Sequence, residues 1–270
     1  MPEEQTSGES AAAESRFMAP LQLAGRLIME NGGETYRVEE TITRMGTGFG
    51  LRNVESFAVP SGIFVSYRKK NGEIETAVMR VRRSGINLNR VDAVNSVSRR
   101  VARGEMSCEE ALNALQAIER RPGELSRPMR MLAAGLSACG FAVMFGGGVA
   151  DGLVAMLVAA LVEGFFALLD RFHMHALVTT LAGSLLSAFL PMIFHCWTGL
   201  GTVEVMVAGT LMPLLPGLAM TNAVQDTIRG DMVSGLSHGI QAVLIAALVA
   251  GGVLLATALY VMLTGGGAPL

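Results

Sequence analysis

Two patterns of apolar residues divide the chain near residue 128. Before that point the apolar residues recur with short periods. Leu21, Ala24, Leu27 and Ile28 fall on one face of a helix over about 17–31. Gly32-Gly33 ends it, and Val38, Ile42, Met45 and Phe49 mark a second helix over about 34–48. Three short strands follow, over 54–59, 63–68 and 74–81, joined by Pro60-Ser61-Gly62 and by Asn71-Gly72, a strong hairpin signal. A helix up to about residue 103 is expected to bury Leu88, Val91, Val94, Val97 and Val101. Ser107 with Glu110 makes a capping box for the next helix, which carries Ala111, Leu112, Leu115 and Ile118. This segment reads as an α+β domain over 17–121, large enough for its own core.

Beyond residue 128 the apolar runs lengthen towards the roughly 20 residues that a membrane span needs. Five candidate spans appear, at 131–150, 152–169, 175–197, 205–225 and 239–263. The fourth is broken. Pro213 and Pro216-Gly217 interrupt its apolar run, and Thr221, Asn222, Gln225 and Asp226 follow. Proline removes a backbone donor and clashes with the preceding turn. In hydrocarbon the freed groups must find partners in protein or trapped water. A broken helix followed by short polar side chains suits a solute site; the plainer reading is a kinked helix whose polar end leaves the membrane. The expected fold class is an α-helical membrane protein, a five-span bundle with an N-terminal α+β cytoplasmic domain. Its parts are a disordered tail over 1–16, the α+β domain over 17–121, a linker over 122–128 and the membrane domain over 129–265.

Charge supports this division and orients it. Of 21 Lys and Arg residues, all but Arg130, Arg171 and Arg229 precede Met129. Arginines crowd the start of the first span, Arg171 lies between the second and third, and Arg229 between the fourth and fifth. The loops 146–151 and 198–202 carry neither Lys nor Arg. All positive charge then falls on the side of the α+β domain, which the positive-inside rule assigns to the cytoplasm, with the C-terminus outside. Half the chain (51%) is hydrophobic and the mean hydropathy is +0.44, too apolar for an ordinary soluble protein. The net charge of −2 indicates no nucleic-acid partner. Cys108, Cys139 and Cys196 form neither a metal spacing nor a disulfide framework. The polar, acidic start has no signal-peptide core.

Ionisable residues inside spans are costly and suggest function. Glu163 lies well inside the second span, where a lone carboxylate could take and release protons; a hydrogen-bonded packing residue is the plainer reading. Asp151 follows a glycine run and could be proton-linked or merely mark the interface. Asp226, Arg229 and Asp231 gather at the end of the broken span, a solvated cluster in the plainer reading; Asp226 either carries protons or only pairs with Arg229. The expected substrate path is Pro216, Gly217, Thr221, Asn222 and Asp226. His173 and His175 lack a third ligand, so no metal is expected, and no cofactor either. The chain holds no GxxxxGK[ST] phosphate loop and no Gly-x-Ser-x-Gly elbow, which argues against ATP-driven transport and against a hydrolase.

Four segments, taken together, resemble the threonine/serine exporter family. They are Asn31-Gly-Gly-Glu-Thr-Tyr-Arg-Val-Glu-Glu-Thr, Pro60-Ser-Gly-Ile-Phe-Val-Ser, Gly85-Ile-Asn-Leu-Asn-Arg-Val, and Pro216-Gly-Leu-Ala-Met-Thr-Asn-Ala-Val-Gln-Asp with Gly230-Asp231. The resemblance singles out Glu34, Arg37, Glu39, Asn87, Asn89 and Arg90 as motif residues of the cytoplasmic domain. It implies an N-terminal cytoplasmic domain and about five spans. Fuller members fuse a second membrane region that this chain lacks. The chain is thus similar to a split form completed by a separate small membrane subunit of four or five spans, and such pairs are linked to dicarboxylate (succinate) export.

The function expected is therefore a subunit of a secondary exporter in the bacterial inner membrane. It would carry a small polar metabolite, an amino acid or a dicarboxylate, outward with proton coupling. The bilayer, a second subunit and the solute are its expected partners, with room for a homo-oligomer. The rival is a membrane-anchored sensor whose cytoplasmic domain binds a ligand; featureless spans would favour it.

Overall fold

The N-terminal helices form where the apolar period places them. The computed structural model describes residues 16–69, 71–82, 85–122 and 125–267. Residues 1–15 of the expected tail over 1–16, part of the linker at 123–124, and 268–270 lie outside the described residues. The chain forms two compact units: one of residues up to Pro122 with Leu218–Gly239, the other of Gly123–Gly217 with Ile240–Leu270.

In the first unit, α1 (Met18–Glu30) buries Leu21, Ala24, Leu27 and Ile28. It closes with Asn31, whose side-chain amide donates to the Leu27 carbonyl at 2.7 Å. Gly32 follows at φ +85°, a conformation that favours glycine. Helix α2 (Thr35–Gly48) buries Val38, Ile42 and Met45. Strands β1 (Arg52–Val59), β2 (Gly62–Arg68) and β3 (Ile74–Arg80) form an antiparallel sheet in that order. The two-residue alternation sends Ile63, Val65 and Tyr67 into the core and leaves Phe64 exposed on the other face. Helix α3 (Leu88–Ala102) buries Val91, Val94, Val97 and Val101. Leu88 does not join them: it lies in the first turn and is 55% exposed. Helix α4 (Cys108–Arg120) starts with the expected capping box of Ser107 and Glu110.

In the second unit, α5 (Arg127–Met144) and α6 (Val149–Leu169) pack closely through small residues. A Cβ at Gly135 would lie 2.7 Å from the Met156 carbonyl oxygen. Helix α7 (Ala176–Thr198) meets α10 (Met232–Thr264) in the same way. A Cβ at Gly252 would lie 2.1 Å from Ser184 Oγ and 2.8 Å from the Leu185 nitrogen, so a larger residue there forces the helices apart. Shape fit of this kind drives helix association in lipid. Leu153, Leu157 and Leu161 are exposed one turn apart along α6, the apolar outer stripe expected against lipid.

Three helical stretches are long and apolar enough to cross a membrane: Val149–Phe172, Ala176–Thr198 and Met232–Thr264. The bent pair Val203–Leu214 and Gly217–Ile228 makes a fourth if counted as one span. The first expected span is shorter than its apolar run. Helix α5 ends at Met144, where Gly146 turns at φ +88°. Beyond Arg130 it offers about 21 Å of rise, against a hydrocarbon core of about 30 Å. Helix α10, at 33 residues, is about 50 Å long and exceeds that thickness.

Candidate functional site

The break near Pro216 follows from local sterics. The 3-10 turn Met212–Leu214 contains Pro213, and Leu215 then leaves the helix at φ −69°, ψ 142°. That is the extended conformation imposed on a residue before proline. Helix α9 (Gly217–Ile228) starts at once, after the short α8 (Val203–Leu211). At its far end the Asp231 N–H donates to the Asp226 carbonyl and the Gly230 N–H to that of Thr227, with Gly230 at φ +91°. These bonds form a Schellman turn. It reverses the chain into α10, and Gly235 lets the two helices approach: a Cβ there would lie 2.3 Å from Thr227 Oγ1. This hairpin brings His238 opposite Asp226.

Asn222 and Asp226, one turn apart, share the buried face of α9. Asp226 is fully buried. Its Oδ2 bonds His238 Nδ1 at 2.9 Å and accepts from Thr35 Oγ1 at 3.3 Å. Its Oδ1 has no hydrogen-bond partner among the described residues, and neither does the buried Gln225 Oε1. Arg229 is not the partner of Asp226; its guanidinium stacks on the Tyr36 ring, 3.5 Å from the centroid. Thr221 lies on the exposed side of α9.

Three of the four motif segments meet around this point. The Gly85 N–H donates to the Glu30 carbonyl and the Asn87 N–H to that of Asn31. A Cβ at Gly32 would lie 3.1 Å from the Leu218 side chain and 3.2 Å from the Gly85 carbonyl oxygen. Asn87 caps α3 by accepting from the Arg90 N–H at 3.1 Å. The Arg90 guanidinium donates to the Arg121 carbonyl, and Asn89 is exposed. Arg37 Nε donates to Glu34 at 2.7 Å. Burial alone would push the Glu34 carboxyl up, but the Arg37 bond, a backbone N–H and the charges of Arg37 and Arg229 hold it below its ordinary value. Glu39 accepts from the Ala58 N–H at 2.9 Å. Its carboxyl is pushed up, chiefly by burial, with Asp231 and Asp226 adding to the effect against the Ala58 bond. Tyr36, Glu39, Arg44, Glu55, Ser56 and Arg229 line part of an open groove of about 810 Å³.

The second unit holds the other two predicted carboxylates. Both Asp151 oxygens are occupied: Oδ2 accepts from the Gly148 N–H at 2.8 Å and Oδ1 from the Thr202 N–H at 2.7 Å. That arrangement gives it a structural task. Glu163 pairs with Arg130, whose Nε lies 3.3 Å from Oε1. His175 caps α7, its Nδ1 accepting from the Leu177 N–H at 3.3 Å.

Long lipid-facing helices of this kind define a multi-pass membrane protein. The sequence profile of the family described as "Putative threonine/serine exporter" matches residues 21–260, and the chain belongs to that family. It is a transporter and not an enzyme. A Klebsiella aerogenes protein named "Probable succinate transporter subunit YjjP" is 28% identical over 227 residues, covering 78% of this chain and 81% of that protein. A protein of the same name from Escherichia coli (strain K12) is 25% identical over 251 residues, covering 87% and 91%. No solved structure matches the chain.

Reasoning from the residues did not find His238 or the Tyr36–Arg229 stack. His238 lies twelve residues past Asp226, across a glycine turn, and that spacing alone does not set which way it faces.

Proposed function

We propose that the chain is one subunit of a secondary exporter in the bacterial inner membrane, moving a small polar metabolite outward with proton coupling. The metabolite is a threonine- or serine-type amino acid or a dicarboxylate such as succinate. Family membership supports export, and the relatives' names supply both the dicarboxylate and the word subunit. The observation that carries the site assignment is Asp226: a fully buried carboxylate just past a helix break, with one oxygen bonded and the other without a partner among the described residues. Pro216, Gly217, Thr221, Asn222 and Asp226 line the path. A carboxylate in hydrogen-bond contact with an imidazole can pass a proton, which makes Asp226 with His238 the coupling pair alongside Glu163. Asp151, with both oxygens engaged, serves as an anchor. The partner is a small membrane subunit of four or five spans.

Five crossings require α5 and the bent pair each to cross once, leaving 17–121 in the cytoplasm and the C-terminus outside. Reporter fusions after Arg171 and near the C-terminus should then report opposite compartments; signals from the same side exclude five spans. The exporter assignment is tested by efflux from cells preloaded with succinate or threonine. The chain alone should export poorly and gain activity with its partner. Full activity of the purified chain in liposomes would rule out the two-subunit arrangement, and no efflux of either solute from the pair would rule out export of these solutes.

A further inference from the structure

Three arginines of the second unit line one cavity. Arg127 and Arg130 stand in the first turn of α5, and Arg171 in the 3-10 turn Asp170–Phe172 that follows α6. The packing of α5 against α6 sets them around a cavity of about 260 Å³, with Glu163, Met131 and Leu168 also in its wall. Arginines at a membrane edge ordinarily reach for water. These three are exposed and line one open cavity together with the apolar Met131 and Leu168, and Glu163 engages Arg130. Arg127 and Arg171 make no ion pair among the described residues. With three positive groups and one negative group, the formal charge of the cavity wall is +2.

We infer that this cavity is a binding site for a small dianion, a short dicarboxylate, held at Arg127 and Arg171 and competing with Glu163 for Arg130. The inference rests on the exporter reading above and assigns residues to one of its substrate classes. Guanidinium matches carboxylate geometry, with two parallel hydrogen bonds per pair. A dicarboxylate cancels the +2 charge. An amino-acid zwitterion brings no net charge, and its ammonium group is repelled by the arginines. A phospholipid phosphodiester, whose acyl chains stay in the bilayer, brings a single negative charge and leaves the wall at +1.

The test uses the full chain in nanodiscs of phosphatidylcholine, with labelled succinate as the probe. Saturable binding is expected, unaffected by threonine. Arg127→Gln and Arg171→Gln should each weaken it about tenfold or more, the loss of a charge-assisted pair. Glu163→Gln should tighten binding, because Arg130 loses its internal competitor; a merely structural Glu163 would not produce that gain. Absence of saturable succinate binding, or wild-type affinity in both arginine variants, would overturn the inference. So would nanodiscs containing phosphatidylglycerol in which the arginine variants lose lipid retention and succinate binding is unchanged, since the cavity would then be a headgroup site. Binding is read on the chain alone and efflux on the pair, so failure here leaves the exporter reading standing, and failure of efflux leaves this site standing.

Discussion

Asp226→Asn should reduce efflux by about tenfold or more at equal membrane abundance. Asparagine keeps the size of the side chain and one acceptor oxygen, so either His238 or Thr35 keeps a partner. It cannot take or release a proton. The charge-assisted bond it loses is worth about 1.5–3 kcal/mol, which corresponds to about a tenfold or larger change. Asp226→Leu goes further, leaving His238 and Thr35 without their acceptor, and should lower the amount of folded protein as well. His238→Gln should resemble Asp226→Asn in efflux, and the double variant should be no worse than either single one, because residues that act as a unit do not add. The decisive measurement is the dependence of efflux on the proton gradient. If Asp226→Asn exports at the wild-type rate and keeps that dependence, Asp226 is only a tie between α2, α9 and α10, and Glu163 becomes the remaining candidate for coupling.

Replacing Pro216-Gly217 by Ala-Ala should reduce transport by a similar factor while leaving insertion intact. The extended Leu215 exists because proline follows it. With alanine there, the residue regains a backbone donor, and the roughly 3 kcal/mol penalty on helix is removed. Gly217 contributes differently: nothing lies within 4 Å of a Cβ at that position, so alanine meets no obstacle and simply favours helix. Gly217→Ala alone should therefore have a small effect and Pro216→Ala a large one. Wild-type efflux from the double variant, at matched abundance, would mean that the break is a packing kink with no part in the path.

Period and punctuation made most of the first unit legible. The helix faces of Leu21–Ile28 and Val38–Met45, the Asn71-Gly72 hairpin and the Ser107–Glu110 box are all local signals, and local physics sufficed. Leu88 was misplaced because a first-turn residue can satisfy the helix period and still face outward. Proline alone was an incomplete guide. Pro191 lies inside the unbroken α7, whereas Pro216 breaks its helix, with Pro213 close before it and Gly217 following. The site was half legible. Asp226 and Asn222 stood out as polar residues after a break. The partners of Asp226, Thr35 and His238, lie 191 and 12 residues away, and no periodicity reports a contact made by a chain reversal. The alternative in which Asp226 only pairs with Arg229 does not hold, because Arg229 lies in the turn just past α9 and its guanidinium stacks on the Tyr36 ring.

The Asp151 clamp bears on how depth in the membrane is set. A nine-residue helix such as α8 rises only about 14 Å, too short to find its level by matching the thickness of the hydrocarbon. Its N-terminus is instead pinned, through the Thr202 N–H, to a carboxylate in the first turn of the 21-residue α6, which is long enough to be levelled by the lipid. The short helix therefore inherits its vertical position from the long one. In a thicker or thinner bilayer the two rise and sink together, and the approach to Pro216 keeps its height relative to α6.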